Sequence, residues 1–325
     1  MEQFYIYYLI CFVLNIFIVK YRITIATKLK LLDQPNFRKS HKSPIPSIGF
    51  MLFIPVIILS LLNSYIEESL KLKIFILFCF TSALFSIIGY IDDRSQLSGK
   101  FKFFLISIVL LIILPLEKSF LVNYLIFAGI DYVIILNQAA LFFTVFCIFF
   151  FYNSLNFSDG LNGICLSLCI CWIVYIMMIS ETNIYYIMIF SSLIFTIIPN
   201  LMGKLFIGNT GVNFLSIIFS MIFIDLYNKN FLKFDEIIIL TLFPCIDTIR
   251  VSLERLINKK SPFEPDKNHL HHLMTKLVSQ SFVFVPYILI CTFPIILFQL
   301  NINSFIIITF SVFFYLFFVK FLKLK

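Results

Sequence analysis

A chain of 325 residues that is 61% hydrophobic, only 13% charged and has a mean hydropathy of +1.01 is excluded as a soluble domain, which carries roughly 25% charged residues. The net charge of +8 is spread over segments between apolar runs, which argues against a nucleic-acid surface and for charge that sets membrane orientation. Eight cysteines, all in apolar stretches and none in a CxxC pair, argue against a disulfide framework or a thiolate metal site.

Apolar runs near the ~20 residues needed to cross the hydrocarbon recur along the whole length, and helices satisfy their own backbone there. The pattern predicts an all-α, polytopic membrane protein of about eleven transmembrane helices with one cytoplasmic active-site face. The runs cover 3–20, 48–63, 72–91, 101–116, 138–156, 162–180, 184–200, 211–227, 234–256, 280–298 and 302–321, within a single integral-membrane domain over residues 1–325. The first run precedes Lys20, Arg22, Lys28 and Lys30 with no small-residue cleavage site, so it is expected to be retained. Most Lys and Arg fall in loops after odd-numbered runs, which predicts an external N-terminus and a cytoplasmic C-terminus.

Taken in chain order, the internal loops hold the polar chemistry. The first, Asp33 to Gly49, is stiffened by Pro35, Pro44 and Pro46. Its Arg38, Lys39, His41 and Lys42 suit a phosphate or a lipid headgroup, or simply set topology beside anionic lipid; both readings stand. The second runs from Gly89 through Asp92, Asp93 and Arg94 to Gly99, Lys100 and Lys102. Adjacent carboxylates at a span end bind Mg²⁺ or take a proton, and nearby lysines neutralise phosphate, but an isolated acid pair also serves as a helix cap.

The external stretch 117–137, mostly apolar, is expected to be re-entrant or a hairpin and carries no assigned chemistry. The third internal loop, Asn153 to Gly163, gathers Asn156, Asp159 and Asn162, oxygen donors suited to a hard cation or to a polar turn. The fourth, Phe206 to Gly211, is a glycine turn opening a helix, where free amides suit an anion. The fifth, Ser261 to His272, holds His269, His271 and His272; HxHH fits no usual zinc spacing.

Together and in order, these segments resemble the polyprenyl-phosphate N-acetylhexosamine-1-phosphate transferases, relatives of the phospho-MurNAc-pentapeptide translocase. The matching pieces are D-x-P-x-x-R-K-x-H-x-x-P-x-P-x-x-G, the acid pair with following lysines, N-x-x-N-x-x-D-G, G-x-T-G, and P-x-x-D from Pro244 to Asp247 ahead of H-x-H-H. The resemblance implies transfer of a sugar 1-phosphate, GlcNAc being favoured, from a UDP-sugar to polyprenyl phosphate, with Mg²⁺ (or Mn²⁺) and release of UMP. It also implies roles for particular residues. Asp92 is the expected base, Asp93 a charge or metal partner and Asp159 the third acid, while Asn156 and Asn209 stand where relatives contact the metal. Arg38, Lys39, His41, Lys100 and Lys102 are expected phosphate clamps, with His269, His271 and His272 on the donor diphosphate.

Asn209 and Asn162 depart from the resemblance, which has aspartate at both positions. The competing readings are a transporter, whose charges belong at mid-span depth, and a relative that has lost catalysis and acts in lipid binding or assembly. The expected partners are the UDP-sugar, the polyprenyl phosphate and membrane lipid, with no nucleic acid and with a homodimer left open.

Overall fold

The computed structural model describes residues 2–35, 43–66, 72–130, 132–181, 183–261 and 267–325. Thirteen helices follow in order among these residues. They are α1 (Glu2–Lys20), α2 (Arg22–Leu29), α3 (Ile54–Ile66), α4 (Leu72–Ser95), α5 (Gly99–Ile113), α6 (Ala140–Ser158), α7 (Ile164–Ile179), α8 (Ile184–Leu201), α9 (Gly208–Asn228), α10 (Phe234–Ile257), α11 (Leu270–Met274), α12 (Phe284–Gln299) and α13 (Ser304–Leu324).

Each apolar run read from the sequence is helical. Seven helices among the described residues are long and apolar enough to cross a bilayer, or eight if α1 and α2, bent by 74°, count as one span. The expectation of about eleven crossings exceeds this for physical reasons. The helices over Gly49–Leu62 and Ile164–Ile179 are short, and α10 interrupts its apolar face with Asp247, Arg250, Glu254 and Arg255.

The chain divides into two compact units, Met1–Leu97 with Cys169–Ile218, and Ser98–Leu168 with Phe219–Lys325. In the first, α1 is tied to α8 by a hydrogen bond from Asn15 to the Ser192 hydroxyl (2.9 Å) and by Phe12 edge-on to Phe195. Lys30, in left-handed conformation, ends α2 and lets the Leu31 amide bond back to Ala26. The strands β1 (Leu32–Asp33) and β2 (Ile45–Pro46) then pair antiparallel, Leu32 opposite Pro46. Phe206 donates to the Pro46 carbonyl and accepts from Gly49, so the end of the first loop is held against the segment entering α9. Beneath it, Ala26, Leu31, Ile48, Leu52 and Leu205 form a closed apolar cluster.

In the second unit, α10 packs against α6, α12 and α13. The stretch 117–137 is a hairpin, as one of the two expectations had it: β3 (Tyr124–Ile126) pairs antiparallel with β4 (Val133–Ile135). Buried Asp235 anchors it by accepting from the amides of Ala128 and Gly129, and it also receives the Ser304 hydroxyl. Tyr227 adds a second anchor, donating to the Tyr124 carbonyl and accepting from the Ile126 amide. A buried carboxylate with three donors is stable where an unpaired one would cost several kcal/mol.

Candidate active site

In the first unit the acid pair closes α4 where it meets the start of α9. Asp93 accepts from the Asn209 amide (2.8 Å), the Thr210 amide (2.9 Å) and the Thr210 hydroxyl (2.7 Å). A carboxylate from another helix thus caps the N-terminus of α9, satisfying amides that the helix itself leaves open and meeting its positive dipole end. The Asn209 side chain also bonds to this carboxylate. An amide at 209 can donate to Asp93, whereas an aspartate there would set two like charges together.

Two glycines permit this approach. A Cβ on Gly89 would lie 2.6 Å from both the Asn209 carbonyl oxygen and the Thr210 Cα. Gly208 has φ +72°, and its Cβ would lie 2.5 Å from the Ser47 hydroxyl and 2.8 Å from an Asp93 carboxylate oxygen. Asp92, one residue earlier, is buried and accepts from the Leu97 amide (2.8 Å), a bond that closes the turn leaving α4. Adjacent acids therefore have different work. Asp93 caps the turn into α9, and Asp92 closes the turn leaving α4.

In the second unit, Ser98 caps α5 by accepting from Phe101, so Lys100 and Lys102 stand in its first turn. Lys100 is exposed. Lys102 shares a pocket with Gly99, Phe103, Phe149, Tyr152, Asn153, Asn156 and Phe157, which brings an ammonium and two amides together over an aromatic floor. Asp159 terminates α6, its amide bonding to the Asn156 carbonyl, and Gly160 follows in the turn. Arg38, Lys39 and His41 lie outside the described residues.

The three histidines are not equivalent. His269 and His271 are buried, with their rings parallel 5.8 Å apart, whereas His272 is half-buried and 4.4 Å from His271. His269 Nδ1 bonds to Asp247 (2.7 Å), and the same carboxylate accepts from the Leu270 amide, Tyr315 and Arg250. His271 Nε2 is buried with no hydrogen-bond partner among the described residues. It faces Gly160, where any Cβ would collide with it and lie 2.8 Å from His272 Nε2. Glycine at 160 is thus a requirement of the two imidazoles above it.

Burial, with His272 beside it, holds the His271 pKa well below the ordinary 6.5. The neutral ring is the folded form, so below pH 6.5 the unfolded chain binds the extra proton and stability falls with pH. The unfolding midpoint in detergent is expected to drop as pH goes from 7.5 to about 5.5. His271→Leu should make that drop shallower; an equal drop in both proteins would refute the assignment.

Reading the sequence placed Asp247 in a motif but gave it no role, and it missed Arg250, Arg255 and Tyr315. The available signal was charge inside an apolar helix: Asp247 and Arg250 are three residues apart, and buried charge of this kind is costly unless paired.

For a divalent cation, no group of three His, Cys, Asp or Glu gathers among the described residues. Asp92 and Asn209 in the first unit, and Asn156 and Asp159 in the second, are oxygen donors of the kind that hard cations take.

The fold is that of a polytopic helical membrane protein, with acids and amides at helix ends in the first unit and acids, amides and histidines at helix ends in the second. Residues 75–227 match the family model described as glycosyl transferase family 4, a segment that includes Asp92, Asp93, Asn156, Asp159 and Asn209. Over that segment the chain is similar to this family. It is 25% identical over 266 residues to the undecaprenyl-phosphate alpha-N-acetylglucosaminyl 1-phosphate transferase of Yersinia pestis, covering 78% of this chain and 71% of that protein. It is 26% identical over 263 residues to the probable undecaprenyl-phosphate N-acetylglucosaminyl 1-phosphate transferase of Bacillus subtilis, covering 76% and 70%. The Escherichia coli K12 protein named as in Yersinia is 24% identical over 267 residues, covering 78% and 71%.

Proposed function

We propose that this protein transfers N-acetylglucosamine 1-phosphate from UDP-GlcNAc to undecaprenyl phosphate, giving undecaprenyl-diphospho-GlcNAc and UMP. The reading places this reaction at the cytoplasmic face of the bacterial inner membrane, with the N-terminus outside, as the first step of a cell-surface polysaccharide such as O-antigen. The observation that carries it is the acid pair at the end of α4, inside the segment that matches the family model, where Asp93 caps α9 and Asp92, one residue earlier, is the proposed base.

An acceptor phosphate oxygen attacks the donor β-phosphorus as the bond from that phosphorus to the bridging oxygen breaks, and UMP leaves. Asp92 takes any proton remaining on the attacking phosphate. Such transfer needs positioning and charge compensation more than a covalent protein nucleophile, which fits loops rich in acids, amides, lysines and histidines. Lys100, Lys102, Arg38, Lys39 and His41 are the proposed phosphate clamps, with His271 and His272 on the donor diphosphate and Asp159 the third acid. Mg²⁺, or Mn²⁺ in its place, would be held by Asn156 and Asn209 with neighbouring acids and would neutralise diphosphate charge. The single integral-membrane domain and an optional homodimer belong to the same proposal.

The test is release of UMP from UDP-GlcNAc by purified protein in detergent with undecaprenyl phosphate and Mg²⁺. UMP is expected only when the acceptor lipid is present, and chelation should stop it. No UMP from any UDP-N-acetylhexosamine would leave the reading in which catalysis has been lost, for which Asn162 and Asn209 are the specific observation.

A further inference from the structure

We infer that Asp247 is the positioning residue of the histidine segment, fixing His269 as its Nδ1–H tautomer and holding α11 in register. Three features of the second unit carry this. An ionised carboxylate only accepts, so the 2.7 Å contact between His269 Nδ1 and the Asp247 carboxylate requires the proton on Nδ1. A guanidinium only donates, so Arg255, 3.4 Å from His269 Nε2, requires a lone pair on Nε2. The two neighbours together admit one tautomer.

The second feature is how firmly Asp247 is itself held. Its other oxygen accepts from Arg250 (2.9 Å), the Tyr315 hydroxyl (2.6 Å) and the Leu270 amide (3.0 Å). Arg250 continues to the Asn268 carbonyl (2.5 Å) and to the Tyr315 hydroxyl (2.6 Å). Asp247 and Arg250 together therefore tie α10 and α13 to backbone on both sides of His269, at the Leu270 amide and the Asn268 carbonyl. Removing it would leave buried donors without partners, and the residues on either side of His269 would lose their anchor.

The third feature is the consequence for the neighbouring rings. His269 lies parallel to His271 and 5.1 Å from Phe157, and the Arg255 guanidinium lies 5.3 Å from the same Phe157 ring. The orientation fixed at Asp247 thus passes to the imidazole that faces Gly160. His269 is a positioning residue by this account and does not itself need to touch the donor, a narrower role than the sequence expectation gave it.

Asp247→Asn is the informative change because it preserves shape. The amide oxygen would stay with the three donors, so the NH₂ group would face His269 Nδ1 and demand a lone pair there. His269 should switch to the Nε2–H tautomer, which sets two donors against each other at Arg255. The measurement is ¹⁵N NMR of histidine-labelled full-length protein in detergent, with His269 assigned by its loss in His269→Gln. We expect Nδ1–H in the wild type, Nε2–H in Asp247→Asn, and an unchanged tautomer in Tyr315→Phe, which loses one donor to the same carboxylate. An Nε2–H tautomer in the wild type, or Nδ1–H kept in folded Asp247→Asn, overturns the inference. If Asp247→Asn does not fold, the wild-type tautomer alone decides.

The effect on turnover rests on the transferase reading. There Asp247→Asn should lower kcat about 10²-fold with the donor KM little changed; a change confined to KM would count against positioning. The tautomer is read without substrate, so a protein that transfers no sugar phosphate yet shows the expected tautomers would sink the transferase reading and leave this one standing.

Discussion

Asp92→Asn should lower sugar-phosphate transfer by about 10²- to 10⁴-fold, the span typical of a lost general base, with little change in the unfolding midpoint. Asp93→Asn should lower both. The contrast follows from what each carboxylate holds. Asp92 accepts the Leu97 amide, a bond that an asparagine carbonyl can accept equally well. Asp93 takes two amides and a hydroxyl on two separate oxygens, and asparagine offers only one acceptor oxygen to that set. Loss of a capping interaction costs about 1–2 kcal/mol, and the turn carrying Asn209 would loosen with it. Equal loss of stability in both variants would show that the two acids share one structural job. Full activity in Asp92→Asn would remove it from the chemistry.

Gly89→Ala is expected to destabilise by at least about 2 kcal/mol, and to impair transfer, although alanine is the better helix former by about 1 kcal/mol. On an open helix face the propensity gain would decide the sign. Here the new methyl group would sit 2.6 Å from the Asn209 carbonyl oxygen and from Thr210 Cα, and 2.7 Å from the Asn209 carbonyl carbon. These are backbone atoms, so no side-chain rotation relieves the overlap, and α4 must move away from the turn that Asp93 caps. Thermal unfolding in detergent, read beside initial rates, tests this. An unfolding midpoint equal to or above that of the wild type would mean that the close approach at Gly89 is not required.

The helices were legible in the sequence because runs of apolar residues near the length of the bilayer admit little else. Which of them cross by themselves was less legible. In α10 the charges that interrupt the apolar pattern are satisfied by partners far along the chain, with Asp247 bonded to His269 and Tyr315, and no periodicity announces such pairs. The bend between α1 and α2 is likewise absent from hydropathy.

The candidate site was legible only as a set of residue types in order. The division of labour inside it was not. Asp92 and Asp93 are identical in sequence terms and differ only because Gly89 lets α9 approach one of them. The three histidines read as one cluster, yet His269 bonds to Asp247, His271 is sealed over Gly160 and His272 is partly open. Long-range burial separates them, and the spacing H-x-H-H carries no record of it.

The central claim is that phosphorus moves together with the sugar, and a donor labelled in its β-phosphate tests that most directly. Purified protein supplied with [β-³²P]UDP-GlcNAc, undecaprenyl phosphate and Mg²⁺ should move the label into the organic-soluble lipid, with one UMP released for each labelled lipid formed. Label left in the aqueous phase as UDP, with sugar alone in the lipid, would mean a glycosyl transfer and contradict the account.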